Sequence, residues 1–228
     1  MRFLIVPGLL AIVGGGSLGA QSAPSPTNEL PNPYRTVEGW AKMPPGRSWG
    51  STSAVEIDKD GTSIWVAERC GANSCAGSKL DPILKFDSTG TLLRSFGAGM
   101  FLSPHGIFVD RDGNLWVTDC ACTGSAEQRN SKGADGQPLG HQVYKFSPEG
   151  TLLLTLGKRG GGRDSSYFWQ PNDVLVAPNG DIFVAEGHSS AEAANARILK
   201  FSKDGRLLKS IGKRGTARGE LDQPHALA

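Results

Sequence analysis

The sequence predicts an all-β fold, a propeller of four-stranded antiparallel blades, and three observations carry that expectation. One phrase recurs. It reads "FLSPHGIFVDRDGNLWVTD" at 101–119 and "FWQPNDVLVAPNGDIFVAE" at 168–186, and its opening returns as "LDQPHALA" at 221–228. The period is roughly 50 to 65 residues, the range of propeller repeats. Within each copy, short apolar runs rich in β-branched and aromatic residues are divided by turn dipeptides such as Asp112-Gly113 and Asn179-Gly180.

Self-alignment gives three copies. The first is "STSAVEIDKDGTSIWVAER" followed by "DPILKFDSTGTLLRSFG". The second is "SPHGIFVDRDGNLWVTD" followed by "HQVYKFSPEGTLLLTLG". The third is "QPNDVLVAPNGDIFVAE" followed by "ARILKFSKDGRLLKSIG". In the second copy, residues 106–110 form strand one and Asp112-Gly113 a hairpin turn, and 114–119 form strand two. Residues 142–146 form strand three, "SPEG" turns the chain, and 151–156 form strand four. Four such strands make one blade. Ahead of the first copy, "YRTVEGWAKMPPGRSWGSTSAVEID" matches "TLLRSFGAGMFLSPHGIFVD" in outline. It predicts a lone outer strand of the kind that closes a propeller ring. "LDQPHALA" opens a fourth blade, so the sequence reads as an arc of about three blades plus edge strands, a C-terminally incomplete copy of a longer propeller.

Chain direction places the loops. Strand one crosses the disc and strand two returns. The loops from strand two to strand three therefore share a face with the start of strand one. That face holds His105, both cysteine pairs and the insertions 120–141 and 187–196. The other face has short turns only, so the first is expected to work.

The formal net charge of +2 over 228 residues gives no argument for nucleic acid. The Lys-Arg pairs of "LGKRGGG" and "IGKRG" fall at equivalent repeat positions and read as solvated loop charges. Residues 1–20 carry Arg2, a short apolar run broken by Pro7, and small residues near Ala20. They read as a secretory signal peptide, 21–36 as a linker and 37–228 as the propeller domain. Secretion or periplasmic export is expected, with no membrane attachment once the signal is removed.

Export makes disulfides the default for Cys70, Cys75, Cys120 and Cys122. Four cysteines allow three connectivities. Cys70–Cys75 closes easily, Cys120–Cys122 closes a very small ring, and cross-pairing between the loops avoids that ring. No zinc-type CxxC spacing is present.

At the position after the recurring proline, successive copies carry Ser53, His105, Asn172 and His225. In a six-bladed ring, alternate blades are related by a three-fold axis, and histidines in them converge. Three imidazoles with an open position form a catalytic zinc site. The bland reading is a loop histidine bonded to the neighbouring blade.

The repeats from Val37 to Ala228 resemble NHL-type propellers. Within them "SPHGIFVDRDGNLWVTD", "HQVYKF", "QPNDVLVAPNGDIFVAEGH", "NARILKFSKDG" and "QPHALA" resemble the peptidyl-α-hydroxyglycine α-amidating lyases. That resemblance implies a secreted six-bladed propeller that cleaves peptidyl-α-hydroxyglycine to an amidated peptide and glyoxylate. It implies zinc on His105 and His225, with the third ligand past Ala228. It implies a substrate-holding role for Arg69 in "WVAERCG", and calcium on the main-chain carbonyls of Val55 and Ile107. His188 in "AEGHSS" stands where the family has its catalytic tyrosine, and a histidine also moves protons near neutral pH. Trp169 and Ser189 stand where the family has cysteines. The alternative is a non-catalytic propeller that binds a peptide, glycan or protein partner. A third reading, a calcium-dependent lactonase, has Asn172 and Asp173 as its only axial candidates.

Overall fold

The computed structural model describes residues 30–122, 125, 129–189 and 194–228. The expected signal peptide, 1–20, lies outside the described residues. Residues 30–37 belong to a separate unit at the N-terminus, where the Tyr34 amide donates to Asn32 Oδ1. From Glu38 to Ala228 the chain forms one compact unit.

Twelve strands lie among the described residues of that unit. Blade 1 is β1 (Thr52–Ile57), β2 (Ile64–Glu68), β3 (Ile83–Phe86) and β4 (Leu92–Phe96). Blade 2 is β5 (Pro104–Val109), β6 (Leu115–Asp119), β7 (Gln142–Phe146) and β8 (Leu152–Leu156). Blade 3 is β9 (Pro171–Val176), β10 (Ile182–Glu186), β11 (Arg197–Phe201) and β12 (Leu207–Ile211). Each sheet is an antiparallel meander in sequence order, and no strand crosses between sheets. β1 packs beside β5 and β5 beside β9, which makes them the inner strands of an open arc.

The blades form because their turns are chemically specified. Gly113 and Gly180 take φ of 85° and 88°, a region closed to most side chains. A polar group locks the same turn. Asp58 accepts from Trp65 Nε1 at 2.7 Å and pairs with Lys85 at 2.7 Å. Asp110 accepts from Trp116 Nε1 at 3.1 Å and pairs with Lys145 at 3.2 Å. In blade 3 the indole is replaced by Phe183, and Lys200 pairs instead with Asp181 at 2.7 Å. Each lysine also lies over the ring, of Trp65, Trp116 or Phe183.

Blades hold each other through apolar faces. Trp65, Ile83, Phe101, Leu115 and Phe146 form one cluster between blades 1 and 2. Trp116, Val143, Phe168, Ile182 and Leu199 form another between blades 2 and 3. Burying one such side chain contributes about 1.5–3 kcal/mol, so stacking dominates the stability of the arc.

One expectation is corrected and one open question is closed. The segment before blade 1 forms no regular strand. Lys42 makes a single parallel bridge to Thr91, while Trp40, Ala41 and Met43 pack on Leu84 and Phe86. Trp40 Nε1 donates to Ser88 O at 3.0 Å. Side-chain anchoring on blade 1 thus replaces a backbone ladder. Of the connectivities the sequence leaves open, the structure has the local one: Cys70 bonds Cys75, and Cys120 bonds Cys122. Each pair lies within one tight loop, where the left-handed residues Cys70 and Ala121 bring the two sulfurs together.

Candidate functional site

The inner strands share an irregularity at their entry. The register of β1 against β2 shifts at Ser53, that of β5 against β6 between Pro104 and Ile107, and that of β9 against β10 at Asn172. A bulge re-aims the side chain it carries. Here it turns the residue after the proline toward the next blade. Ser53 Oγ donates to Pro104 O at 2.7 Å, and Asn172 Nδ2 donates to Pro224 O at 2.8 Å. His105 Nδ1 meets Asn172 O at 2.9 Å.

That last contact fixes a tautomer. A carbonyl oxygen only accepts, so His105 Nδ1 carries the hydrogen and Nε2 keeps a lone pair. Nε2 is therefore free to bind a metal. Thr118 Oγ1 also donates to Asn172 O, at 3.0 Å, and accepts from the Gly106 amide at 2.7 Å. The His105 backbone is thereby tied to the same carbonyl.

Three histidines meet on this face. The rings of His105 and His225 have centroids 4.9 Å apart, those of His105 and His188 5.1 Å, and those of His188 and His225 5.1 Å. One ring nitrogen from each lies within 4.8 Å of the other two. The structure thus brings His188 into the group formed by His105 and His225. Burial pushes His105 down to about 4 against its bond to the Asn172 carbonyl, and His188, His225 and Arg69 add to the fall. Burial, then His225, lowers His188. A metal binds the neutral imidazole, the form that the lowering of His105 and His188 favours.

Arg69 follows the last residue of β2, with its amide donating to Ser51 O at 3.0 Å. Its Nε donates to Pro104 O at 3.3 Å and its Nη1 to Asn73 Oδ1 at 2.9 Å. Glu68, the adjacent acid, is taken by Arg47. Among the described residues no salt bridge holds Arg69. Burial lowers its pKa, while Asp119 opposes the fall. The guanidinium lies close enough to influence both His105 and His188.

Asp119 was not singled out from the sequence. It is fully buried and accepts from the amides of Leu102 at 2.9 Å and Ser103 at 2.7 Å. Burial drives its carboxyl up to about 6 against those bonds. Glu68, Asp119 and Glu186 end strand two of their blades, and each binds amides of its own entry loop. Glu68 and Glu186 are paired with Arg47 and Arg197. The acid ending "WVAE", "WVTD" and "FVAE" was the available signal.

Val55 and Ile107 line an open cavity of about 260 Å³ with His105, Asp173 and His225. Asp173 accepts from the Leu227 amide at 2.8 Å, and burial raises its pKa. Glu56 is raised by burial, against a bond from the Ile57 backbone, and Asp173 adds to the rise. A larger cavity of about 470 Å³ lies on the other face. It is lined by Asp110, Trp116 and Lys145, whose polar atoms are already engaged with one another.

Cys120 and Cys122 also bring sulfur within 4.8 Å of a His105 nitrogen, but their sulfurs are bonded to each other. Trp169 stacks on His141 at 4.9 Å. No helix among the described residues is long and apolar enough to cross a membrane.

No family model matches the chain. It is 30% identical over 223 residues to peptidyl-alpha-hydroxyglycine alpha-amidating lyase 2 of Drosophila melanogaster, covering 90% of this chain and 48% of that one. It is 38% identical over 135 residues to a probable lyase of the same kind from Caenorhabditis elegans, covering 58% and 31%. It is 28% identical over 200 residues to human NHL repeat-containing protein 3, covering 85% and 50%. The chain thus spans half or less of the length of these relatives. Among solved structures, a streptogramin B lyase superposes with a TM-score of 0.44 at 17% identity, covering 74% of this chain and 42% of that one.

Proposed function

We propose that this chain, an NHL-type relative of the peptidyl-α-hydroxyglycine α-amidating lyases, carries the metal-binding and carboxylate-binding face of a carbon–nitrogen lyase. The observation that supports this is the convergence of three imidazoles beside an arginine free of any salt bridge among the described residues. The substrate class is an acylated α-hydroxyglycine, a small peptide-like molecule ending in a carboxylate. Arg69 takes that carboxylate through its fork and sets the hydroxyl toward the histidines. His105, held in one tautomer by Asn172, presents Nε2 to the metal. Zinc bound there supplies Lewis acidity at the hydroxyl oxygen. The hydroxyl proton leaves oxygen, the carbon–nitrogen bond breaks, and the amide nitrogen gains a proton. Amide plus glyoxylate carry the same atoms as the substrate, so no water or oxidant is consumed.

Calcium is the second ion of the proposal, on the carbonyls of Val55 and Ile107, with Asp173 lining the same cavity. The disulfides of both loops fit an oxidising compartment, and export is part of this reading. The alternative, a propeller that only binds a peptide or protein partner, draws on the bonds by which Ser53, His105 and Asn172 grip the next blade.

The test is glyoxylate release from a peptidyl-α-hydroxyglycine, with and without chelator. Zinc-loaded protein is expected to release glyoxylate and amide in equal amounts. Arg69→Ala should raise KM by roughly 10- to 100-fold, the loss of a charge-assisted bond of about 1.5–3 kcal/mol. Zinc-loaded protein that releases none would leave the binding propeller as the reading.

A further inference from the structure

We propose that His188 is a metal ligand, so that His105, His188 and His225 form a three-histidine site from this chain alone. The inference deepens the reading above and rests on its metal face, not on its lyase chemistry. The resemblance gives His188 the place of a catalytic tyrosine, whereas the geometry gives it the place of a donor. The three centroid distances differ by only 0.2 Å, from 4.9 to 5.1 Å, so no member stands outside the triangle. The rings of His105 and His188 are inclined at 79°, those of His105 and His225 at 66°, and those of His188 and His225 at 48°. None of these pairs is stacked face to face, so no ring shields the nitrogens of another. Nitrogen lone pairs lie in the ring plane, and a metal at the centre of the group takes one from each ring.

The spacing has the right size. Zinc–nitrogen bonds of about 2.0–2.1 Å in a tetrahedron place donor nitrogens about 3.4 Å apart. The three nitrogens already lie within 4.8 Å of one another. Closing that gap takes less than about 1 Å from each ring, within reach of side-chain rotation. The donor set also suits the ion: three imidazoles with an open fourth position favour zinc, copper or nickel over magnesium or calcium. His188 sits just after β10, where Gly187 takes φ of 146° and the chain leaves the sheet. That glycine lets the loop turn inward and deliver the ring over the entry of β5.

The experiment is a metal titration of the full chain with zinc and with cobalt(II). Affinity is read by calorimetry and geometry by the cobalt d–d spectrum. One ion per chain is expected. His188→Ala and His188→Tyr should weaken binding by roughly 100-fold or more, beyond the 10- to 100-fold cost of losing an outer-shell partner, and change the spectrum. His105→Ala should do the same. X-ray absorption on the unmutated zinc protein needs no variant to fold, and should count three imidazoles. Wild-type affinity and spectrum in His188→Ala, two imidazoles by absorption, or no metal bound by the unmutated chain would each overturn the proposal. Metal binding that needs His188 with no glyoxylate released would sink the lyase reading and leave this one standing. Lyase activity unaffected by His188→Ala, with metal retained, would do the reverse.

Discussion

His141 gives the sharpest test of how the blades are held, because its environment tolerates only the neutral ring. The Gln170 amide donates to its Nδ1 at 3.0 Å, and Trp169 stacks on it at 4.9 Å and 14°. Arg129 lines the same small cavity, and Arg163 lies over the Trp169 ring. Protonating Nδ1 would lose the Gln170 bond and bury a charge. Burial accordingly pushes His141 down to about 4, against 6.5 for a free side chain. The folded value lies below the unfolded one, so the unfolded chain takes the proton first. The stabilisation is complete above the unfolded pKa and is lost as pH falls toward the folded one. Integrating proton uptake between those values gives a loss of about 2 kcal/mol at pH 5 and about 3 kcal/mol at pH 4. His141→Asn removes the titration, and asparagine accepts the residue's φ of 60°. Urea unfolding of both proteins at pH 7.5 and pH 5, in chelator, isolates the effect because all other groups are shared. The wild type should lose about 2 kcal/mol more than the variant on acidification. Equal losses in the two would refute the reasoning.

Two further perturbations follow from the repeat. Trp116→Phe removes the indole bond to Asp110 and copies the natural Phe183 of blade 3, while Lys145 stays paired. It should cost about 0.5–1.5 kcal/mol in urea unfolding, one net hydrogen bond, and a loss near 4 kcal/mol would mean the blade is held otherwise. Asn172→Ala keeps the carbonyl that binds His105 but deletes the amide donor to Pro224 O. Metal affinity should fall roughly 10- to 100-fold with the count of imidazole ligands unchanged, and an unaltered affinity would show that Asn172 does not position His225.

The blades were legible because their signals are local. Asp112-Gly113 specifies its own turn, and the expected strand at 142–146 is the observed β7. The expected strand at 151–156 begins one residue early against β8, and the expected 106–110 begins two residues late against β5. The latter error has a cause: the bulge at His105 belongs to the strand but breaks its alternation. The convergence of His105 and His225 was readable from repeat position. His188 was legible as a site residue only through the resemblance, because the loops after β2, β6 and β10 differ in length and sequence, so repeat phase says nothing of where its ring goes. The cysteine pairing stayed open in the sequence for a related reason. Sequence distance describes ring size, but the left-handed Ala121 between Cys120 and Cys122 is a property of the folded loop. The segment at Trp40 failed because its likeness to an outer strand is one of composition, and its ladder partner is replaced by packing on Phe86.

The bland and the metal readings of the residue after the proline turn out not to compete. Every such residue with a described neighbour reaches the entry strand of the next blade: Ser53 to Pro104, His105 to Asn172, Asn172 to Pro224. The position is a latch between blades, set by the bulge, and each bond contributes on the order of 1 kcal/mol. Serine latches with its one hydroxyl. Asparagine latches through its amide and adds a backbone carbonyl for the histidine beside it. Histidine alone has two ring nitrogens, so Nδ1 can latch while Nε2 keeps its lone pair. A metal at such a histidine would leave the structural bond in place. The repeat supplies the scaffold wherever the copies agree, and chemistry enters where they differ, at positions whose substitution leaves the latch intact.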